Sequence, residues 1–135
     1  PFGIHPTKKS FPLWIKENLD AKKEIPVLVD QFTTPTYVPN LSKMLIEIAT
    51  RQINGIIHVS GATRISRYDL AGLIADKFNL DKNLLIPTKI DAMNWKAQRP
   101  KDSSLNTSLA SENLNEQPQK IEKSLELFIN ELNSN

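Results

Sequence analysis

Apolar residues recur every three or four positions in several stretches of the chain, a spacing typical of helices with one buried face. This pattern predicts helices at about 11–22, from 40 to about 54, from 66, at about 108–114 and from 118. The side chains expected to face inward are Phe11, Trp14, Ile15 and Leu19 in the first helix, Leu41, Met44, Leu45, Ile48 and Ala49 in the second, Leu70, Leu73, Ile74 and Phe78 in the third, and Ile121, Leu125, Phe128 and Leu132 in the last.

The helix starts carry residues that favour a helix N-terminus. Ser10 and Asn40 are good N-cap residues, and Ser66 with Asp69 resembles a capping box. Pro118 suits the first turn of the last helix.

Three short apolar runs, at 25–29, 56–59 and 84–86, are typical of strands, and the second is expected to be buried. Segments 30–39 and 91–106 are predicted to be irregular. Helices and strands alternate, which favours an α/β fold with mostly parallel strands. Three short strands make a thin sheet, so we expect some of them to complete a sheet supplied by sequence outside this chain.

Length and composition restrict the classes of function. A chain of 135 residues is expected to form a single domain, 1–135. The net charge of +2 favours no nucleic-acid or membrane partner, and no apolar run approaches the roughly 20 residues that span a bilayer. The absence of cysteine excludes disulfides, thiolate metal sites and a cysteine nucleophile, and it fits a cytoplasmic location.

The sequence lacks the motifs of a hydride-transfer site. Its glycines do not have the spacing of a dinucleotide or P-loop motif, and Gly61 is interpreted as a turn residue. Short-chain dehydrogenases use a tyrosine with a lysine four residues later. Here Tyr37 is followed at that distance by Leu41, and Tyr68 by Gly72. We therefore expect no catalytic residue and no bound cofactor in this chain.

The histidines and serines offer no recognisable catalytic or metal site. His58 lies in an apolar run and is interpreted as a core residue, and His5 has no ligand spacing around it. Ser103 and Ser104 lack a nucleophile elbow, so we interpret them as hydroxyl donors or loop caps.

Segment 94–105 is the strongest anion-binding candidate. It combines Trp95, Lys96, Arg99 and Lys101, and arginine can bind a phosphate with two hydrogen bonds while tryptophan stacks on a base or packs on a sugar. The alternative is a solvated basic loop. Elsewhere, Asp30 and Gln31 follow a predicted strand at its carboxyl end, where open α/β sheets bind ligands.

The chain resembles the dTDP-4-dehydrorhamnose reductase family of extended short-chain dehydrogenase/reductases. The resemblance runs in order along nearly the whole chain. The matching pieces are Phe11 with Trp14, DQFTTPTYVPNL at 30–41, GIIHVSG at 55–61, SRYDLA at 66–71 and NWKAQRPKDSSLNT at 94–107.

The resemblance implies that the chain is the C-terminal, substrate-binding portion of such an enzyme, with the N-terminal Rossmann domain absent. That domain would bind NADPH or NADH and carry the tyrosine–lysine pair, and it is the expected partner. The strands near 25–29 and 84–86 would pair in a substrate lobe, while 56–59 would join the Rossmann sheet and leave an apolar face around Ile56 and Ile57.

The family reduces the C4 ketone of a dTDP-6-deoxyhexose, so the resemblance implies a dTDP-sugar as ligand. It makes Gln31, Thr36, Arg99 and Ser104 the candidate substrate-binding residues, with Arg99 at the diphosphate. Two alternatives remain. The chain could be a non-catalytic module like the regulatory subunits of methionine adenosyltransferase, or part of another nucleotide-sugar epimerase or dehydratase. The resemblance does not determine the oligomeric state, and a homo-oligomer remains an alternative.

Overall fold

The computed structural model describes residues 1–134, which form two compact units. The first unit contains residues 1–4, 34–64 and those from Ser104 onward, and the second contains 5–33 and 65–103. Each unit is built from segments distant in sequence, so neither corresponds to one continuous stretch of the chain.

The second unit contains two helices and four strands. Helix α1 spans Phe11–Asp20 and α3 spans Arg67–Lys77. The strands are β1 at Ile25–Leu28, β2 at Phe32–Thr33, β3 at Ile65–Ser66 and β4 at Leu85–Thr88. Short 3₁₀ turns occupy Lys82–Leu84 and Ile90–Ala92.

Strands β1 and β4 pair in parallel, with Ile25 opposite Leu85 and Leu28 opposite Thr88. This confirms the pairing that the resemblance implied. The short strands β2 and β3 pair antiparallel, and the sequence pattern did not predict them. Two residues are too few to show the alternation that identifies a strand in sequence.

The buried faces of α1 and α3 hold the second unit together. Ile15, Leu19 and Ile74 have no exposed surface, and Leu70 is 2% exposed. The capping prediction for α3 is confirmed, because Ser66 Oγ accepts a hydrogen bond from Asp69 N at 3.0 Å. The corresponding prediction for α1 is only half right. Ser10 occupies the N-cap position, but its side chain makes no capping bond.

The first unit is helical. Helix α2 spans Val38–Thr50, α4 spans Ser108–Asn113 and α5 spans Ile121–Ser134. Met44, Ala110 and Leu114 form a buried cluster. Phe2, Tyr37 and Phe128 form an aromatic group, with 5.5 Å between the ring centroids of Phe2 and Phe128.

The structure corrects several predicted boundaries. Helix α2 begins at Val38 with Tyr37 as N-cap, so Asn40 lies inside the first turn and is not the cap. It ends at Thr50, not near 54, because Gln52 adopts a left-handed φ of 51°. Helix α5 begins at Ile121, not at Pro118.

Three predictions about side-chain burial are also wrong. Trp14 is 38% exposed and Leu45 is 49% exposed, and Ala49 is exposed as well. A helix of one turn per 3.6 residues places such side chains beside the buried stripe, and only the neighbouring elements decide whether they are covered.

The predicted strand at 56–59 is not formed within residues 1–134. Ile56 is 87% exposed and His58 is exposed, so the interpretation of His58 as a core residue is wrong. An extended segment becomes a strand only when a neighbour accepts and donates its backbone hydrogen bonds, and no described segment does so here. Ile57 and Val59 pack on the Met44 cluster.

None of the helices in the described part of the chain is long and apolar enough to cross a membrane.

Candidate functional site

Two concave sites in the second unit share Met93 and Trp95. The first, which we call the loop cavity, has a volume of about 600 Å³ and is lined by segment 90–101. The second, the aromatic slot, has a volume of about 260 Å³ and includes Phe11 and Trp14 from α1. The predicted anion-binding segment therefore forms one of the two.

Hydrogen bonds fix both ends of the loop that forms the cavity. Asp30 Oδ1 accepts a bond from Ile90 N at 2.8 Å, which anchors the start of the loop. Phe32 N donates to Lys101 O at 2.7 Å, and Ser103 N donates to Phe32 O at 3.0 Å. Residues 30–32, which connect β1 to β2, thus determine where the loop begins and ends.

Ser103 also uses its side chain in this attachment. Its hydroxyl donates to Phe32 O at 3.3 Å. The interpretation of Ser103 as a hydroxyl donor in a loop is therefore confirmed.

Arg99 and Lys101 are the two cationic side chains that line the loop cavity, and Asp91 is the acidic one. The Arg99 guanidinium lies 5.8 Å from the centroid of the Trp95 ring, an arrangement that permits a cation–π interaction. No described carboxylate forms an ion pair with either side chain. A cavity with two unpaired cations and an indole ring can accept an anion next to a flat group.

Gln31 lies at the edge of this loop and lines the aromatic slot. Its Nε2 donates to Pro100 O at 3.4 Å, next to Arg99 in sequence, and Gln31 O accepts a bond from Arg67 N at 3.0 Å. The structure therefore places Gln31 beside the loop that carries Arg99, and the assignment of both residues to a substrate site stays a prediction.

Arg67 is a member of the aromatic slot that sequence reasoning missed. Its guanidinium lies 4.9 Å from the centroid of the Phe11 ring, and burial lowers the pKa of this arginine from its ordinary value. In the sequence, Arg67 is only the residue after a helix cap. No local signal marks it, because its proximity to Gln31 and Phe11 depends on contacts between distant segments.

Thr36 and Ser104 lie in the first unit. Thr36 is 5% exposed, and its hydroxyl donates to Thr34 O and accepts from Gly61 N, each at 3.0 Å. Ser104 is half-buried. Their assignment to a substrate site stays a prediction.

Gly61 is required for close packing in the first unit. A Cβ atom at this position would overlap Pro35 O, far closer than real Cβ atoms approach a backbone oxygen. The residue therefore lets two backbone segments approach each other.

Among residues 1–134, no group of three or more histidine, cysteine, aspartate or glutamate side chains could hold a metal ion.

Comparison with known proteins identifies the family to which this chain belongs. Residues 2–134 match the family described as RmlD substrate binding domain. The dTDP-4-dehydrorhamnose reductase of Bacillus anthracis str. Ames, solved in complex with NADP, superposes with a TM-score of 0.86 at 27% identity. The superposition covers 96% of this chain and 45% of that one. It confirms the fold class as the C-terminal portion of an extended short-chain dehydrogenase.

Two curated relatives match shorter segments. A protein named probable low-salt glycan biosynthesis reductase, from Haloferax volcanii, is 26% identical over 98 residues, which cover 73% of this chain and 33% of that protein. Methionine adenosyltransferase 2 subunit beta of Rattus norvegicus is 34% identical over 79 residues, which cover 55% of this chain and 23% of that protein. The chain spans a third or less of these curated relatives and under half of the solved reductase.

Proposed function

We propose, because the chain belongs to the RmlD substrate binding domain family, that it binds the nucleotide-sugar of a dTDP-4-dehydrorhamnose reductase-like protein. The ligand is a dTDP-6-deoxyhexose. The similarity to the Bacillus anthracis reductase over 96% of this chain supports this choice of substrate class.

The unpaired Arg99 in the loop cavity is the observation that carries the proposal. A diphosphate needs cationic donors that are not already neutralised by carboxylates, and Arg99 and Lys101 meet this condition. The cavity, at about 600 Å³, lies in the range of small-molecule sites in proteins. We assign Arg99 to the diphosphate and Gln31 to the same ligand. Thr36 and Ser104 are further candidates from the resemblance.

The proposed reaction of the whole protein is reduction of the C4 ketone by NADPH or NADH. The chain's own residues would bind and orient the sugar nucleotide, whereas the hydride donor site and the tyrosine–lysine pair would belong to an N-terminal Rossmann domain. Ile56, at 87% exposed in an unpaired extended segment, is where we expect that domain to pack. We expect a cytoplasmic protein, and no turnover from the chain alone.

The regulatory alternative has narrower support. The similarity to methionine adenosyltransferase 2 subunit beta covers 55% of the chain, whereas the family match covers residues 2–134. A regulatory relative that had lost its ligand would have no need for an unpaired Arg99 in a cavity. We therefore prefer the nucleotide-sugar-binding function.

Titration of the chain with dTDP, followed by backbone amide NMR, tests the proposal. We expect the largest shifts at Gln31 and in segment 95–101, and we expect Arg99→Ala to weaken binding about tenfold or more, since a charge-assisted contact is lost. Lys43→Ala is the control. This exposed lysine of α2 has no partner among the described residues, so its loss changes the net charge equally without touching the site.

Two results would contradict the proposal. One is the absence of dTDP binding to the unmodified chain at millimolar concentration. The other is equal weakening by Arg99→Ala and Lys43→Ala, which would indicate a general effect of net charge.

A further inference from the structure

Asn54 precedes Gly55 in an exposed loop of the first unit, just after helix α2 ends at Thr50. It is the one asparagine of the chain that a glycine follows. The side-chain amide of an asparagine can be attacked by the backbone nitrogen of the next residue, and glycine obstructs this attack least because it has no side chain. The pair therefore combines a reactive amide with the least hindered neighbour that an asparagine can have.

The backbone nitrogen of Gly55 is available for such an attack. Among the described residues, no acceptor takes a hydrogen bond from Gly55 N. The backbone bonds that follow the helix stop earlier, at Ile53 N, which donates to Ile48 O at 3.1 Å. A backbone N–H held in a hydrogen bond is fixed in place, whereas an exposed one without a partner moves readily.

The loop around the pair also has room to move. Gly55 has a φ of 99°, a region that glycine adopts readily, and no atom lies within 4 Å of the position where a Cβ would stand. Asn54 Nδ2 donates to Gln52 O at 3.1 Å, and water can replace this exposed bond at little cost. The side-chain amide can therefore rotate toward Gly55 N.

We propose that Asn54 is a site of spontaneous deamidation. Gly55 N attacks Asn54 Cγ, so that a bond forms between these two atoms and the bond from Cγ to Nδ2 breaks. Nδ2 leaves as ammonia with the proton that Gly55 N gives up, and a succinimide ring remains. Water then opens the ring at one of its carbonyl carbons, and the product is aspartate or isoaspartate. Water is the only co-reactant.

The reaction would change the surface beside Ile56. Both products carry a negative charge that the amide lacks, and isoaspartate also adds a methylene group to the backbone. Ile56 follows Gly55 directly and is 87% exposed, where we expect an N-terminal domain to pack. A charge at the edge of an apolar contact costs free energy when water is excluded. The inference concerns this surface and does not depend on the proposed ligand.

Incubation of the chain at mildly alkaline pH, followed by peptide mass spectrometry, tests the proposal. Trypsin releases residues 52–64, in which Asn54 is the one asparagine. We expect this peptide to gain about one dalton with time and to become a substrate for an isoaspartyl methyltransferase. Asn54→Gln should abolish the methylation, because glutamine would have to form a larger ring. Asn83→Gln is the control, since Asn83 is exposed but precedes Leu84, and it should leave the rate unchanged.

Two further rates show whether the loop itself permits the reaction. Gly55→Ala should slow it about tenfold, because a Cβ hinders the attack and disfavours the positive φ. A synthetic peptide of residues 52–64 gives the rate without the fold, and the folded chain should react within about tenfold of that rate. A slower folded chain would show that the loop protects Asn54 and would overturn the inference. Equal methylation of Asn54→Gln and the unmodified chain, or an unchanged rate in Gly55→Ala, would also overturn it.

Discussion

Selected polar side chains of the two units have different surroundings. In the first unit, polar groups bind one another: Asn40 Nδ2 donates to Glu116 Oε1 at 2.7 Å, and Tyr37 Oη donates to Glu131 Oε2 at 2.7 Å. In the second unit, the guanidinium groups of Arg67 and Arg99 have no acceptor among the described residues. Both kinds of residue look equally polar in the sequence.

This difference separates structural polar residues from candidate ligand-binding ones. A buried polar group that already has its partners gains little from a ligand, because binding would only exchange one hydrogen bond for another. A partly desolvated cation without a partner gains more, and Arg67, which is half-buried, is such a group, whereas Arg99 is exposed. The internal pairing of Asn40 and Tyr37 and the lack of a described acceptor for Arg67 therefore favour a binding site in the second unit.

Breaking the close packing of the first unit should produce the largest change in stability. In Gly61→Ala, the new Cβ would overlap Pro35 O, and neither backbone segment can move without losing the bond from Gly61 N to Thr36 Oγ1. We expect a loss of about 3 kcal/mol in the free energy of unfolding, measured by urea denaturation.

Gly72→Ala serves as its control. Gly72 lies inside α3, and the nearest atom to an added methyl group is in the flexible side chain of Lys82, at 4.0 Å. This substitution should stabilise the chain by about 0.5–1 kcal/mol through helix propensity. A Gly61→Ala variant as stable as Gly72→Ala would show that the close approach at Pro35 is not needed.

The internal pairing of Glu47 should make stability depend on pH. Backbone hydrogen bonds from Asn115 N and Glu116 N, both 2.8 Å, lower the pKa of Glu47 below its ordinary value of 4.5, and Arg51 adds to this effect. Because the folded-state pKa is lowered, the ionised carboxylate stabilises the fold above pH 4.5, and this contribution is lost as the pH falls below that value.

Glu47→Gln should therefore lower the urea midpoint at neutral pH, and the difference from the unmodified chain should shrink as the pH falls below 4.5. Glu24→Gln removes the same charge from an exposed residue that has no partner in the described structure, and it should show no such pH-dependent difference. A constant difference at all pH values would mean that the Glu47 charge does not stabilise the fold.

The smallest effect on stability is expected at the unpaired cations. Arg99→Ala removes no ion pair and no hydrogen bond, so the free energy of unfolding should change by no more than about 0.5 kcal/mol. The same variant is expected to lose dTDP affinity. A large loss of stability would show that Arg99 is a structural residue and would remove the contrast between the two units.

Sequence reasoning identified the helices better than the contacts between them. Helix α1 was predicted from the spacing of Ile15 and Leu19, and the start of α3 from Ser66 and Asp69, because a helix forms its hydrogen bonds between near neighbours. The β1–β4 pairing came from the resemblance and not from the pattern, since no local signal states which strands are neighbours.

The candidate site residues stay predictions. Arg99 and Gln31 were selected from residue type and position, and the structure places them around one loop. Arg67 was missed because its importance depends on Phe11 and Gln31, which are more than 30 residues away in the chain. Asn40 was misassigned as a cap, because its side chain binds residues near 116–119 and not its own helix.

The sequence by itself determined the local elements and the family resemblance, because amphipathic spacing, capping residues and motif order are written in neighbouring positions. Tertiary structure alone decided which polar groups are neutralised and which remain available. It also left residues 56–59 without a strand neighbour among the described segments, although their composition suits a buried strand. Both outcomes depend on groups far apart in the chain, since a hydrogen bond or an ion pair exists only when folding brings its second partner within reach.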